Sequence, residues 1–484
     1  MICLAAPVHS RSDAEEACEH ARETCDIVEL RVDYCSSPAR WLKEVIRSAS
    51  LPVIVTDRSP EEGGYSPRDN AGRMNILRQA AHAGADYVDC EYNNLDRLGE
   101  IPGTTRIIGS FHDFKETPAD PESVAANIEK SPADIVKVAF HAQDITDNFR
   151  LFKAVRSIEK PVIGICMGER GEISRIIGRK FGSFLTYAVL DKQANTAPGQ
   201  IPVNELREMY RYHSISERTR VYGVAGNPIQ HSASPAIHNA AVRTCGADAV
   251  YVKFLVDDIG SFMQCFRDFG FSGLSVTIPF KVDVMKTVDL VDRVSSDAGA
   301  VNTVSVHDGE LRATNTDIKA AVDGLRSAAG GLKGKKVALL GAGGAARGIC
   351  FGLVQEGADI CVVNRTLSKA EHLARSAECE WCGYDDFTGK GYDILINTTP
   401  VGMHPDTDRC PVSPDAVQKG MTVFDIIYNP PRTKLIRIAE AKGCRTLTGI
   451  DMFIGQGEEQ FRIWFGRNPP QGVMRKTFEQ KFSE

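Results

Sequence analysis

The sequence predicts an α/β protein throughout: a (β/α)8 barrel in the first half, then a further α/β half that divides in two. Three observations predict this. Eight short β-branched runs recur about every 26 residues over the first 190 positions, and most gaps between them carry an amphipathic helical pattern. A polar stretch at 213–219 then interrupts the chain. Beyond it, a glycine-rich turn at 341–346 follows one strand-like run and precedes a helical one. A length of 484 residues agrees, since about 150 residues per domain gives roughly three.

Composition excludes several classes. Hydrophobic residues at 43% and charged residues at 25% suffice for buried cores, so the chain is not disordered. The net charge of −6 argues against a nucleic-acid protein, which needs a basic face to displace counterions. No apolar run reaches the roughly 18 residues of a membrane span. The opening run 2–8 has no basic residues before it and meets Arg11, unlike a signal peptide, so a cytoplasmic location is expected. The 14 cysteines are scattered, mostly in apolar runs, as small buried hydrophobes are. Cys379 and Cys382 form a CxxC without a second pair or histidines at ligand spacing, so no metal is expected.

The eight runs are 2–8, 26–34, 52–58, 87–92, 106–112, 135–140, 161–167 and 184–189, with helical patterns such as 12–24 and 71–83 between them. Strand and helix alternating eight times at that spacing fit a barrel. An open doubly wound sheet competes, but no phosphate-binding glycine loop follows the first run. Barrel chemistry sits at the carboxyl ends of the strands, and there the polar residues collect. Run two ends with Glu29, Arg31 and Asp33; run three ends at Arg58, followed by Glu62-Gly63-Gly64; run four carries Glu91. Run five ends Ser110-Phe111-His112-Asp113, run six contains Lys137, Ser174 and Arg175 follow run seven, and Thr196 to Gln200 follow run eight.

Lys137 lies inside an apolar strand, where it either snorkels outward or points inward and loses solvation. The inward case favours a neutral amine suited to Schiff-base chemistry. His112 could then move protons, or could simply be satisfied by a neighbour such as Asp113. Arg31, Arg58 and Arg175 are ordinary charges individually; together at one barrel mouth they suggest an anionic substrate, since Arg grips a carboxylate with two bonds.

These motifs, in order on the expected strand ends, resemble type I 3-dehydroquinate dehydratase over residues 1–212. The resemblance implies that Lys137 forms an imine with the substrate ketone and that His112, helped by Glu62, is general base and acid in eliminating water. Arg175 would hold the substrate carboxylate, with Glu29, Arg31, Arg58 and Gln200 on hydroxyls and ring. Where the family commonly has serine, Thr196 keeps the hydroxyl.

A new strand begins at Val221. The turn Gly341-Ala342-Gly343-Gly344-Ala345-Ala346 lies between the strand 336–340 and the helical run 346–356, the context in which glycines let a pyrophosphate approach a helix N-terminus. The next strand, 360–363, ends in Asn364-Arg365-Thr366 instead of an acidic residue. Arg365 can pair with a 2′-phosphate, which points to NADP over NAD. Upstream, Ser234-Pro235 reads as a helix N-cap with proline at N1, which leaves Ser232 unexplained. Further candidates are Thr277 and Lys281 in a strand-to-turn run, Asn302, and Asp317; Asp317 could merely cap the helix that starts at Ile318, and Lys281 could be solvated.

With Asn397-Thr398-Thr399-Pro400-Val401-Gly402-Met403 and the stretch 449–457, this set resembles shikimate dehydrogenase over 221–484. The resemblance implies a substrate domain at 221–318 with a return at 453–484, where a last helix packs back, and a Rossmann NADP-binding domain at 319–452. Lys281 and Asp317 would be the catalytic pair at the carbonyl of 3-dehydroshikimate, with hydride from NADPH. Ser232 and Ser234 would bind the carboxylate, and Thr277, Asn302, Gln456 and Tyr428 would lie on the substrate side. Gly341, Ala342, Gly343, Gly344, Ala345, Asn364, Arg365, Thr366 and Lys369 would hold the cofactor, with Ile426 and Gly449 facing its nicotinamide. The chain departs from the family at Ser275, which resembles plant-type fused enzymes, and at Ala313 and Ala320, where glycines are common.

The two resemblances support each other, because the product of the first reaction is the substrate of the second. A non-catalytic metabolite sensor could dispense with Lys137, His112, Lys281 or Asp317, and all four are present. An NAD-dependent quinate dehydrogenase is disfavoured by Asn364-Arg365-Thr366.

Overall fold

The computed structural model describes residues 1–190 and 197–482. Contacts group the chain into two compact units, Met1–Pro235 with Gly246–Phe271, and Ala236–Cys245 with Ser272–Glu484.

The first unit opens with eight parallel strands: β1 (Ile2–Pro7), β2 (Ile27–Arg31), β3 (Val53–Thr56), β4 (Tyr87–Glu91), β5 (Arg106–Asp113), β6 (Ile135–His141), β7 (Val162–Met167) and β8 (Thr186–Val189). Their order is β7-β6-β5-β4-β3-β2-β1-β8. A parallel bridge from Val162 to Ser183 and the Phe184 N–H donated to the Val162 carbonyl (2.7 Å) bring the chain entering β8 back to β7 and close the ring. All eight expected runs are strands. A short β9 (Ile201–Pro202), which the sequence pattern did not single out, pairs with β8.

Parallel strands buried on both faces read as continuous apolar runs, and the pleat sorts them. Cys3, Ala5, Ile27, Ile54, Ile108, Ile135 and Ile163 form the cluster inside the ring. The alternate residues Leu4, Val28, Leu30, Val53 and Val55 pack outward with the helices. Those helices are α1 (Arg11–Thr24), α2 (Leu42–Ser48), α3 (Asn70–Ala83), α4 (Leu95–Leu98), α5 (Pro121–Glu129), α6 (Asp147–Ser157) and α7 (Glu172–Ile177). α1 is typical: the Ser10 side chain accepts the Asp13 N–H (3.3 Å), and Ala14, Ala17 and Ala21 form its buried stripe. α3 is capped by Asp69 and ends at Gly84, whose φ of 105° needs glycine.

β10 (Arg220–Gly226) and β11 (Ala249–Leu255) pair in parallel, with α8 (Ser234–Thr244) between them in sequence and α9 (Ile259–Asp268) after them. Ser234 is the first helical residue of α8 and not the residue before it, a shift of one position from the expected N-cap. α6 meets α9 and its flanks through phenylalanines: Phe149 lies 4.9 Å from Phe269 and 6.2 Å from Phe262, and Phe152 stacks on Phe181 at 4.2 Å. Arg170 also forks onto Asp257 (2.5 and 2.8 Å), and Lys253 pairs with Glu172 (3.1 Å).

In the second unit, β12 (Gly273–Val276), β14 (Thr303–His307) and β15 (Glu310–Thr314) run antiparallel in turn, and β13 (Leu290–Val291) lies parallel to β15. α10 (Arg293–Ala298) and α11 (Thr316–Ala329) lead to a parallel sheet of β16 (Lys336–Leu340), β17 (Asp359–Val363), β18 (Glu380–Cys382), β19 (Ile394–Asn397), β20 (Thr422–Asp425) and β21 (Arg445–Thr448). Its order, β18-β17-β16-β19-β20-β21, reverses between β16 and β19, as in a Rossmann sheet. α12 (Gly344–Gln355), α13 (Leu367–Ala377) and α14 (Lys434–Ala441) are its crossover helices.

The expected single last helix is two, α15 (Gly449–Phe465) and α16 (Val473–Phe482), and it starts four residues early. Thr448 and Asp451 form a capping box that opens α15, and Gly466, with φ of 67°, ends it before Pro469-Pro470.

Candidate functional site

The glycines after β3 fix the geometry of the barrel mouth. A Cβ on Gly64 would lie 2.1 Å from the Arg58 carbonyl oxygen, and Gly63 has φ of 77° with the Phe114 ring where its Cβ would be. The turn therefore folds tightly over Arg58 and carries Glu62 to His112. One Glu62 oxygen accepts the His112 backbone N–H (3.0 Å) and lies 2.9 Å from its Nδ1. The partner of His112 is thus Glu62, not Asp113, whose carboxylate accepts the N–H groups of Lys115 and Glu116.

Lys137 on β6 points inward, not outward. Its Nζ donates to Asp89 on β4 (2.7 Å), lies 3.7 Å from Glu29 and sits 4.4 Å from the Tyr187 ring centroid. Asp89 also accepts from Arg58 Nη2 (2.7 Å) and from Ser110 Oγ (2.6 Å), which itself accepts from Arg58 Nη1 (2.7 Å). Sequence reasoning missed Asp89, although it shares a strand face with Glu91 two residues on. Glu91 itself pairs with Arg73 (2.7 Å).

Glu29, Arg31, Arg58, Glu62, His112, Lys137, Arg175 and Gln200 line one cavity, with Tyr187, Phe114 and Met167 among its other walls. Thr196 lies outside the described residues. Arg31 forks onto Asp33 (2.9 and 2.9 Å), and Gln200 accepts the Ala197 N–H (3.1 Å). Arg175 differs from the other two arginines: among the described residues it forms no ion pair, and its buried Nε has no hydrogen-bond partner. The buried Tyr187 hydroxyl is also without a hydrogen-bond partner among the described residues. Two unsatisfied polar groups on one cavity wall are what a ligand would complete.

Burial, with the cations Arg58 and Lys137, holds His112 well below the usual imidazole range, so it is neutral and can accept a proton. Burial raises Glu62 to about 7, against the opposing pull of Arg58. Burial would raise Asp89 too, but Arg58 and Lys137 outweigh it and keep the carboxylate ionised. Burial lowers Arg175 to about 10, a pull that Glu172 opposes only weakly.

In the second unit, three segments converge around Lys281. Its Nζ donates to Asp317 (2.5 Å), and its carbonyl accepts the Val301 N–H (2.8 Å). The helix cap of α11 is Asn315, whose side chain accepts the Asp317 and Ile318 N–H groups (3.1 and 3.3 Å) and donates to the Ala300 carbonyl (3.0 Å). Asp317 is therefore relieved of capping and faces Lys281. Asn302 is buried, and its Oδ1 accepts from Thr316 and Thr303 (2.7 to 3.0 Å). Thr277 begins the turn into Lys281, its carbonyl accepting the Phe280 N–H (2.9 Å).

On α15, Gln456 is buried and donates to the Phe453 carbonyl (2.9 Å), while the exposed Tyr428 approaches the Phe453 ring at 6.2 Å. Ser275 donates to Gln460 (2.8 Å), and Ala320 packs at Gly455, where a Cβ would lie 3.2 Å away. Ala313 is buried in β15 opposite Val304. Ser232 and Ser234 lie at the entry of α8 in the first unit, where Ser232 Oγ accepts the Ser234 N–H (3.3 Å).

The glycine turn leaves β16 at its switch point. Gly341 has φ of 111°, and a Cβ there would lie 2.5 Å from Thr398 Oγ1. Gly343 and Gly344 leave open space at the first turn of α12, so a pyrophosphate fits against the helix N-terminus. A cavity there is lined by Ala342, Gly343, Gly344 and Lys369, and by Arg347, Ser368 and His372, which sequence reasoning missed. Arg347 lies four residues from the Gly343 cap of α12, a placement that helical spacing could have suggested, whereas Ser368 and His372 lie in the first two turns of α13. Arg365 and Thr366 are exposed at the head of α13, and Asn364 donates to the Thr366 carbonyl (2.9 Å). Gly449 is held against Ile426, whose carbonyl oxygen would lie 2.3 Å from a Cβ. Ala345 is in the first turn of α12. Among the described residues no group of three metal-ligating side chains is present.

Family models match in chain order: type I 3-dehydroquinase over residues 2–217, shikimate dehydrogenase substrate-binding domain over 224–304, shikimate/quinate 5-dehydrogenase over 324–405, and shikimate 5′-dehydrogenase C-terminal domain over 449–477. The chain is 37% identical over 472 residues to the bifunctional, chloroplastic 3-dehydroquinate dehydratase/shikimate dehydrogenase of Arabidopsis thaliana, covering 92% of this chain and 78% of that one. It is 41% identical over 278 residues to the NADP(+) shikimate dehydrogenase of Methanothermobacter thermautotrophicus, covering 55% of this chain and 98% of that one. A crystal structure of shikimate dehydrogenase with NADP+ aligns with a TM-score of 0.53 at 36% identity, over 55% of this chain and 97% of that one.

Proposed function

The chain belongs to the bifunctional 3-dehydroquinate dehydratase/shikimate dehydrogenase family, and on that premise we propose which residues carry each of its two reactions. The enzyme dehydrates 3-dehydroquinate to 3-dehydroshikimate and reduces that product to shikimate with NADPH.

For the dehydration, the observation that carries the assignment is one cavity holding Lys137, the His112–Glu62 pair and Arg175, whose Nε has no hydrogen-bond partner. Arg175 takes the substrate carboxylate and so gains the charge it lacks. The Lys137 amine, after giving up a proton, attacks the ketone carbon; the carbonyl oxygen leaves as water, and the imine that forms makes the neighbouring C–H acidic. Asp89, fixed by Arg58 and Ser110, positions the Lys137 nitrogen. Neutral His112, oriented by Glu62, takes the proton and returns one to the departing hydroxyl. Glu29, Arg31, Arg58, Thr196 and Gln200 orient the ring. Borohydride added with 3-dehydroquinate should inactivate the dehydratase and leave a mass adduct on Lys137; label elsewhere, or none, would defeat the mechanism.

For the reduction, the Lys281–Asp317 contact carries the assignment. Lys281 polarises the carbonyl and Asp317 shares the proton that the reduced oxygen gains. Ser232 and Ser234 bind the carboxylate; Thr277, Asn302, Tyr428 and Gln456 meet the rest of the substrate. NADPH, when bound, supplies the hydride. Gly341, Ala342, Gly343, Gly344 and Ala345 hold its pyrophosphate, Asn364, Arg365, Thr366 and Lys369 its 2′-phosphate, and Ile426 and Gly449 border its nicotinamide.

The chain divides functionally into 1–212, 221–318 with the return at 453–484, and 319–452. A cytoplasmic enzyme without nucleic-acid or membrane partners fits the net charge of −6 and the 14 unbridged cysteines.

A further inference from the structure

Four cysteines in the second unit take no part in either reaction, and they meet in two pairs. Cys350 on α12 and Cys379, two residues beyond α13, bring their sulfurs to 3.8 Å. Cys361 on β17 and Cys382 on β18 bring theirs to 3.7 Å. Cys379 and Cys382 are the ends of the CxxC run, and each faces a core cysteine instead of the other. Cys350 and Cys361 are buried, whereas Cys379 and Cys382 are partly exposed. Each pair thus joins a thiol that solvent can reach to one that solvent cannot.

We propose that these pairs are a thiol-oxidation site for hydroperoxides, forming Cys350–Cys379 and Cys361–Cys382 disulfides that weaken NADPH binding and leave the dehydratase untouched. The Cys379 thiolate attacks a peroxide oxygen; the O–O bond breaks, the leaving oxygen departs as water or alcohol, and the sulfur becomes a sulfenic acid. The Cys350 sulfur attacks that sulfur, the S–S bond forms, the S–O bond breaks and water leaves. Two thiols lose two electrons and two protons, and one hydroperoxide is reduced. Cys379 is the attacker because solvent reaches it and not Cys350, and a hydrogen bond shared with the Cys350 sulfur at 3.8 Å favours its thiolate. Cys382 takes the attacking role in the other pair by exposure alone, since burial and the neighbouring Cys361 raise its thiol and make it the slower of the two.

Placement ties the bonds to the cofactor. Both staples join elements whose ends form its cradle: α12 and α13 contribute Gly344, Arg347, Ser368 and Lys369 to the cavity wall. The Asn364 N–H donates to the Cys382 carbonyl itself (3.3 Å), so β18 anchors the segment assigned to the 2′-phosphate. A disulfide brings sulfurs to about 2.05 Å, and the register sets Cys361 opposite Glu380 and Cys382 opposite Val363, so the part of that closure which side-chain rotation does not supply must come from the paired elements. A shift of about 1 Å in either is enough to spoil a binding geometry.

The test treats the full chain with hydrogen peroxide, alkylates the remaining thiols and maps disulfide peptides by mass spectrometry. Both steady-state activities are assayed on the same sample. Cys350–Cys379 and Cys361–Cys382 peptides should appear, the KM for NADPH should rise about threefold or more, and dithiothreitol should restore it. The dehydratase, whose unit holds none of these cysteines, reports any general damage. Cys379→Ser with Cys382→Ser should abolish both the peptides and the KM response. A Cys379–Cys382 linkage, no disulfide, or disulfides without a change in KM would overturn the proposal.

Discussion

Arg175 is a buried cation that forms no ion pair among the described residues and donates only to the Pro198 carbonyl (3.2 Å), a state that costs free energy until an anion arrives. Arg175→Ala should therefore raise the KM for 3-dehydroquinate by about 30-fold or more, the equivalent of roughly 2 kcal/mol or above for truncating one partner of a buried charge pair. The reductase should keep its constants, which steady-state assays of both reactions would check. Glu62 gives a second prediction, because burial raises its carboxyl to about 7. As pH falls through that value Glu62 takes up a proton, and His112 loses the negative charge that orients it. Dehydratase kcat/KM should fall on that acid limb, and Glu62→Gln should flatten it; a wild-type limb kept unchanged in the variant would assign it to another group. Residue identities carried much of this site. The lysine, histidine and arginines proposed for the site are rare on apolar strand ends and so are visible in the sequence, whereas Asp89 is not. A buried acid on a strand has the same one-letter appearance as an exposed one, and only the approach of Arg58, Ser110 and Lys137 reveals its task.

Element by element, periodicity made the architecture legible: eight apolar runs became eight strands because parallel strands bury both faces. What periodicity could not show was where an element stops against a neighbour. β9 is two residues long, too short to leave a pattern, and the final helix divides at Gly466 although its capping box, Thr448 with Asp451, stood in the sequence. Tight turns are the most testable elements. Gly64→Ala would drive a Cβ to 2.1 Å from the Arg58 carbonyl oxygen. It should displace Glu62, cost about 1–3 kcal/mol of stability in the first unit and depress dehydration more than reduction, as calorimetry and the two assays would register. At the head of α13, Arg365→Ala should raise the KM for NADPH by about 30-fold, the lower end for an exposed group, and leave that for NADH nearly unchanged. Equal losses for both cofactors would mean that the 2′-phosphate is held elsewhere.

For the whole molecule, the chain segments that the sequence separates are not the groups that pack together. The polar stretch at 213–219 looks like a linker, yet Phe149, Phe152 and Phe181 of the barrel are covered by Phe262, Phe269 and their neighbours from beyond it. A phenylalanine on a helix announces burial but not the partner that buries it, which is why this packing could not be read in advance. Cutting the chain after residue 219 should expose that patch, and the isolated barrel should bind a hydrophobic dye and aggregate where the full chain does not. The central claim is that one chain carries two reactions at two separate sites, and single lysine substitutions test it most directly. Wild-type protein given 3-dehydroquinate and NADPH should produce shikimate. Lys137→Ala should consume no NADPH from 3-dehydroquinate yet still reduce 3-dehydroshikimate, Lys281→Ala should accumulate 3-dehydroshikimate, and mixing the two variants should restore shikimate. NADPH consumption from 3-dehydroquinate by Lys137→Ala, or loss of dehydration in Lys281→Ala, would contradict the account.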